Sequence, residues 1–390
     1  MMEFIEKDIP LWKVTIWDKK FNNVDKSWQT QTIKYHYLLS DELDSLKRKD
    51  GNVRILYTGK DEGYTTEDLA GSYISDGEVV TIPWGGIPTV KYHKGKFVTG
   101  DNRIATSVDK NKLSNKYLYY YMRGNLHIIS TFYRGASLKH PCMKDVLKML
   151  ISYPHIEYQN KICNELDTIE ILITKQKEEL ELLDELVKAR FVEMFGDPVY
   201  NEKQWKVEQF GSLGEMKRGK SKHRPRNDPI LLGGKYPLIQ TGDISNSHIY
   251  IQTYKSTYSE EGLKQSKMWK AGTLCITIAA NIAESAILTF DACFPDSVVG
   301  FLPNDKVNSI FIHQWLDFLQ PILEENAPAV AQKNLNVATL EKVGIIVPPI
   351  ELQNQFADFV KEVDKSRLEV QKSLKKTQEL FDSLMQKYFG

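Results

Sequence analysis

The 390-residue sequence has little of what usually announces a function. Neither sign of charge is in excess: 51 Lys and Arg balance 51 Asp and Glu, a formal net charge of +0. A nucleic-acid role would have to rest on local basic clusters, not on bulk charge. No apolar run approaches the roughly 18 residues that span a bilayer, and Met1-Met2-Glu3-Phe4 lacks the basic and apolar regions of a secretory leader. The four cysteines, Cys142, Cys163, Cys275 and Cys293, show no Cys-x-x-Cys spacing. That predicts buried, reduced thiols in a cytoplasmic protein. Eight histidines are scattered, with no cluster at metal-ligand spacing. An Asn-Pro-Pro-aromatic run of amino-methyltransferase type is missing, and no acidic-x-Lys strand of nuclease type follows Pro295-Asp296. These absences leave no catalytic constellation.

What is present is a repeat. A shift of 194 residues lays Pro154-His155-Ile156-Glu157-Tyr158-Gln159-Asn160 on Pro348-Pro349-Ile350-Glu351-Leu352-Gln353-Asn354. Beyond it, Ile162, Leu166, Ile169, Ile173, Gln176, Leu180, Leu183, Val187, Arg190 and Met194 recur in steps of four and three. Phe356, Val360, Val363, Arg367, Val370, Leu374, Thr377, Phe381, Leu384 and Tyr388 fall on those positions, and both segments end in Phe-Gly. Such spacing over four heptads is a coiled-coil seam. Glu157 and Glu351 sit where a carboxylate complements a helix dipole, so capping is their default role.

The repeat extends into the flanking regions. Trp12-Lys13-Val14 is echoed by Trp205-Lys206-Val207. Strand-like pieces are predicted at 53–57, 79–82, 96–98 and 274–278, and helices at 115–129 and 310–323. Gly196-Asp197-Pro198 should stop the first long helix. The organisation expected is α+β: a mixed α/β domain over 1–155, a long helix over 156–196, a similar domain over 197–348 and a second long helix over 349–390. If the helices pair, the second must run back along the first. The pair is then an antiparallel coiled coil with pseudo-two-fold symmetry, holding its globules at most roughly 50 Å apart. Gln176, Arg190, Arg367 and Thr377 in the seam either fix register or lie at frayed, exposed positions.

These features resemble the specificity subunit of a type I restriction–modification system. The likeness rests on the twofold repeat, on Pro-x-Ile-Glu-x-Gln-Asn opening each helix, and on three segments of the second globule. These are Gly233-Gly234-Lys235-Tyr236-Pro237-Leu238-Ile239-Gln240-Thr241-Gly242-Asp243-Ile244, 271–281, and Phe294-Pro295-Asp296-Ser297-Val298-Val299-Gly300. The first globule has no Tyr-Pro-x-Ile-Gln-Thr-Gly-Asp segment. The resemblance implies two target-recognition domains reading the halves of a split, asymmetric sequence in double-stranded DNA. It implies that the helices fix the spacing and dock two methyltransferase subunits, and that restriction–translocase subunits join them. No cofactor is expected on this chain; S-adenosylmethionine, ATP and Mg belong on the partner subunits, and the chain itself is expected to be a non-catalytic cytoplasmic protein.

Candidate DNA contacts follow from local charge. Lys217-Arg218-Gly219-Lys220-Ser221-Lys222-His223-Arg224-Pro225-Arg226 holds six basic residues and no acidic one, and its Gly and Pro predict a mobile loop. Such a loop neutralises phosphates, and its arginines can reach guanine edges. Gln240 and Thr241 belong to a segment carrying the resemblance. Lys91 and His93 form one basic group of the first globule, Arg134 and Lys139 another, and Lys333 and Asn334 fall opposite the latter in the repeat. Residue by residue, an ordinary exposed charge is the default reading. Gly214-Glu215-Met216-Lys217-Arg218-Gly219-Lys220-Ser221 also matches the phosphate-binding pattern G-x-x-x-x-G-K-[ST], but what precedes it is polar and Pro225 and Pro229 follow, against the strand and helix such a loop needs. A nucleotide-binding enzyme and a structural coiled-coil scaffold are the rival readings.

Overall fold

The computed structural model describes residues 4–18, 26–28, 32–59, 63–279, 282–325 and 337–390. The chain divides into two compact units, Met1–Gln176 with Ser373–Gly390, and Lys177–Lys372. Each unit owns part of both long helices, Ile156–Phe195 and Ile350–Phe389, which are 40 residues each. Gly196 ends the first helix with φ +78° and donates its N–H to the Val192 carbonyl, a conformation that costs glycine little.

In the first unit the central strands are β1 (Thr15–Asp18), β2 (Val53–Leu56), β3 (Ser75–Pro83), β4 (Lys91–Thr99) and β5 (Asn102–Ser107). They lie in the order β1-β5-β3-β4-β2, with Thr32–Ile33 and Gly63–Thr65 added at the edges. The second unit has β6 (Gly214–Arg218), β7 (Tyr250–Ile251), β8 (Leu274–Thr277), β9 (Ser285–Leu288) and β10 (Val298–Pro303), in the order β6-β10-β8-β9-β7. In both sheets the first three neighbouring pairs are antiparallel and the last, β4 with β2 and β9 with β7, is parallel. The two mixed α/β units share one five-stranded topology. The second adds a four-stranded sheet around Leu232–Leu238.

Each sheet is buried by the apolar stripes of the long helices. In the first unit Ile162, Leu166, Ile169 and Ile173 meet Phe381, Met385 and Phe389 over a core containing Tyr117, Leu118 and Val146. In the second, Val187, Phe191 and Phe195 meet Phe356, Val360 and Val363 over Phe311, Trp315 and Leu340. Burying each such side chain contributes about 1.5–3 kcal/mol. The helix segments are antiparallel in each unit. Glu165 meets Tyr388 (2.8 Å) and Gln176 meets Ser373 (2.7 Å) in the first; Asp184 meets Arg367 while Phe191 packs on Phe356 (5.4 Å) in the second.

The polar seam residues divide. Gln176 and Arg367 are buried and bond across to the facing helix. Thr377 is buried but bonds to the Ser373 carbonyl of its own helix, and Arg190 pairs with Glu193 while covering the Phe359 ring. The helix expected at 115–129 breaks into Asn115–Gly124 and Leu126–Thr131. Gly124 admits Phe389 there: an added Cβ would stand 2.8 Å from the Phe389 Cβ. The tryptophan echo marks no common element. Trp12 lies in the short helix Leu11–Val14, whereas Trp205 stands two residues before the strand Val207–Gln209.

Candidate nucleic-acid interface

The basic stretch 217–226 is more ordered than its Gly and Pro content predicts. Residues Gly214–Arg218 form the edge strand β6, paired with β10 from Gly214↔Pro303 to Arg218↔Val299. Alternation accounts for this: Met216 turns to the core while Glu215 and Lys217 face outward and pair with each other. Gly219 follows in contact with the backbone, where a Cβ would lie 2.3 Å from the Pro295 carbonyl oxygen and 2.5 Å from that of Phe294. Its own N–H donates to the Val298 carbonyl at 2.8 Å. The backbone N–H groups of Lys222 and His223 both donate to Gln265 Oε1, at 2.6 and 3.1 Å. So the expected mobile loop is a short strand followed by a pinned loop. The nucleotide-binding reading fails on the same geometry, because the pattern's first residues are themselves an edge strand and no regular helix follows Ser221.

Asp296 organises the charges. Arg218 Nε donates to its carbonyl oxygen at 2.5 Å. Arg224 Nη2 lies 3.3 Å from one carboxylate oxygen, and Arg226 Nη2 donates to the other. Arg224 also donates to the carbonyls of Ser221 (2.5 Å) and His223 (2.9 Å). Lys220 and Lys222 are exposed, and their ammonium groups have no partner among the described residues. Gln240 and Thr241 open the short helix Thr241–Ser245, where the Gln240 N–H donates to Asp243 Oδ2 at 2.9 Å. Arg226, Gln240 and Thr241 are brought together around a cavity of about 210 Å³.

The first unit builds the same corner from different residues. Val80 and Ala105 pair on the face packed against the long helices, as Leu274 and Phe301 do, and the turn before the last strand carries Asp101 in the first unit and Asp296 in the second. The Leu38 N–H donates to the Thr99 carbonyl (3.0 Å) as that of Ile239 donates to Cys293 (2.8 Å). Leu39 then opens the helix Ser40–Leu46 with its N–H on Glu42 (2.6 Å), the arrangement of Gln240 and Asp243. The segment missing from the first globule's sequence is thus present as structure. Its charges differ, however. Arg103, fully buried, is held by Asp18 (2.8 Å) and Asp101 (2.5 Å) and lies 4.4 Å over the Trp84 ring. Leu39 is 74% exposed at the Gln240 position.

The remaining candidates of the first unit do not converge. Lys91 turns its ammonium onto the carbonyls of Tyr57 (2.9 Å) and Gly59 (2.5 Å). His93 stands edge-on to Phe97, with Nε2 3.1 Å from the Lys96 carbonyl oxygen, and burial holds its pKa below the usual histidine value. Arg134 pairs with Asp145 at 2.6 Å; Lys139 is exposed beside it on the ribbon formed by Tyr133–Arg134 and His140–Pro141. Lys333 and Asn334 lie outside the described residues. Sequence reasoning missed Asp296, Gln265, Asp101 and Arg103 as organisers. For Asp296 alone a signal existed, its place in Phe294-Pro295-Asp296-Ser297.

Comparison with known proteins agrees with this architecture. Residues 37–182 and 202–380 match the family described as type I restriction modification DNA specificity domain, once on each half of the chain. The chain is 23% identical over 354 residues to a putative type I restriction enzyme MjaX specificity subunit of Methanocaldococcus jannaschii, covering 85% of this chain and 83% of that protein. It is 21% identical over 354 residues to the EcoDI specificity subunit of Escherichia coli, covering 82% and 78%. The fold resembles the crystal structure of the type I restriction–modification S subunit from M. genitalium. The TM-score is 0.62 at 15% identity, with 100% of this chain and 96% of that one covered. A chain from a structure of a type I restriction–modification system matches at TM-score 0.51 and 16% identity, with 90% and 93% covered. A twofold domain match over most of the chain, on two units of one topology, places this protein in the family of type I restriction–modification DNA specificity subunits.

Proposed function

We propose that each unit reads one half of a split, asymmetric DNA sequence through the corner at Asp101 or Asp296, and that the long helices set the spacer between the halves. The observation that carries this is the recurrence of that corner: one topology and one capped helix in both units, dressed with different side chains. Equal scaffolds with unequal surfaces suit a target whose halves differ. Lys217, Arg218, Lys220, Lys222, Arg224, Arg226, Gln240 and Thr241 are the contacts proposed for the second unit, with Lys333 and Asn334 beside them. Arg134 and Lys139 are proposed for the first. Lys91 and His93 are engaged internally and support the fold more than the contact.

The chain acts as the address-reading part of a larger cytoplasmic complex and carries no catalysis of its own. Two methyltransferase subunits dock along the helices and restriction–translocase subunits complete the assembly; S-adenosylmethionine, ATP and Mg bind those partners. Among the described residues no group of three or more His, Cys, Asp or Glu is placed to hold a metal, and no helix is long and apolar enough to cross a membrane. The domain limits proposed from sequence, 1–155 and 197–348 for the readers, assign the whole of each helix to the spacer. Methylation sequencing of cells carrying the partner subunits, with and without this chain, tests the reading. One split motif should appear with the chain, and exchanging the first reader should alter one half of it. An unchanged methylation pattern overturns the proposal.

A further inference from the structure

We infer that Arg226 reads a guanine in the half-site of the second unit and that Asp296 is the residue positioning it. The inference rests on the DNA-reading function proposed above and assigns a specificity determinant within it.

The six basic side chains of 217–226 have unequal freedom. Lys217 is paired with Glu215, and Arg218 gives its Nε to the Asp296 carbonyl. Arg224 spends its guanidinium on two carbonyls and the Asp296 carboxylate, which locks the loop. Lys220 and Lys222 are flexible point charges, suited to phosphates. Arg226 differs from all of them. It is half-exposed and held through Nη2 alone, and its Nε and Nη1 have no partner among the described residues. A guanidinium gripped at one corner keeps a planar edge of paired N–H donors. That edge matches guanine O6 and N7, the commonest specific contact in the major groove.

The neighbourhood favours a base over a phosphate. The Asp296 carboxylate sits against Arg226 and would repel a phosphate, whereas a guanine edge is neutral. Arg226 borders the 210 Å³ cavity with Leu238 and Tyr258 as apolar wall and Gln240, Thr241 and Ser297 as polar rim. Gln240 is nearly unengaged, its Nε2 only 3.5 Å from Ser256 Oγ. Holding Arg226 in one rotamer removes ordering entropy that a free arginine would lose on binding. In the first unit the aspartate of the turn before the last strand, Asp101, grips an arginine that is fully buried, so no such reader stands there.

The test uses the full chain assembled with its methyltransferase partners, read by methylation sequencing of a bacterial genome. Wild type should give a split motif with an invariant guanine in one half. Arg226→Ala should lose preference for guanine at that one position, by about 10- to 100-fold, with the other half unchanged, and Arg226→Lys should lose part of it, because an ammonium lacks the planar fork that holds Asp296 and a guanine edge at once. Asp296→Asn should relax the same position partially and Asp296→Glu should restore it, which a merely structural carboxylate would not do. If both Arg226 variants keep the motif at every position, or lower methylation evenly across all sequences as a phosphate contact would, the assignment is overturned. A wild type that yields no split motif removes the functional reading, and this assignment with it.

Discussion

Gln159 and Gln353 make the same three hydrogen bonds, one residue in each unit. Gln159 Nε2 donates to the carbonyls of Lys112 (2.6 Å) and Pro154 (2.8 Å), and its Oε1 accepts from the Ser114 N–H (2.9 Å). Gln353 Nε2 donates to Lys306 (3.0 Å) and Pro348 (2.8 Å), and its Oε1 accepts from the Asn308 N–H (2.9 Å). Both side chains are fully buried. Each staples the first turn of a long helix to the loop that begins a helix of the globule. Replacing either by alanine strands one buried donor and two acceptors and should cost about 2–4 kcal/mol. Chemical denaturation measures the loss, and hydrogen exchange should place the loosening in the unit that contains the substitution.

The Asp184–Arg367 contact predicts a second effect. Arg367 is 5% exposed and donates to Asp184 and to the Leu180 carbonyl across the helix pair. Asp184→Asn leaves that guanidinium buried without its charge partner. Since Asp184 is partly exposed, water relieves some of the penalty, and the expected loss is about 1–3 kcal/mol. Arg367→Met removes both charge and desolvation cost and should be the milder variant. Thermal melts of the two would reverse in order if the ion pair were a dispensable surface contact.

His313 gives the pH dependence. It lies buried beside Ser285 Oγ (3.0 Å from Nδ1), and burial pushes its pKa below the ordinary histidine value of 6.5. The unfolded chain therefore takes up a proton there before the folded one does. Stability from this group is fully present above pH 6.5 and is lost as pH falls from 6.5 toward the folded value. Denaturation midpoints between pH 5 and 8 should show that slope in wild type, and His313→Gln should flatten it.

Salt dependence separates contacts from supports. Lys220→Ala and Lys222→Ala should each lower the salt slope of duplex binding by about 1 and weaken all sequences alike. Lys91→Ala should leave the slope unchanged and instead loosen the turn at Tyr57 and Gly59, whose carbonyls it holds. Fluorescence anisotropy across a salt series distinguishes the two behaviours.

Much of this was legible in the sequence because it depends on local periodicity. A 4-3 apolar stripe at Ile162, Leu166, Ile169 and Ile173 can be buried by a helix and little else, and its repetition 194 residues on announced the second. The glutamines at 159 and 353 stood in the motif opening each helix, although their purpose did not, since Lys112 and Lys306 are distant in sequence. The likeness of Leu39 to Gln240 was invisible. A capped helix needs a backbone N–H and a carboxylate three residues later, so Leu-Ser-Asp-Glu serves as well as Gln-Thr-Gly-Asp.

By itself, then, the sequence determined the tandem helices, the two-unit organisation and the basic stretch, because each is set by composition or spacing within one segment. The tertiary structure decided which charges are available. Arg103 and Arg226 are alike as letters, but one sheet carries its arginine inward between two aspartates and the other leaves its arginine at the rim with one. Long-range strand pairing, which brings Asp296 to the end of Gly214–Arg218, is the physical reason no local reading could make that distinction.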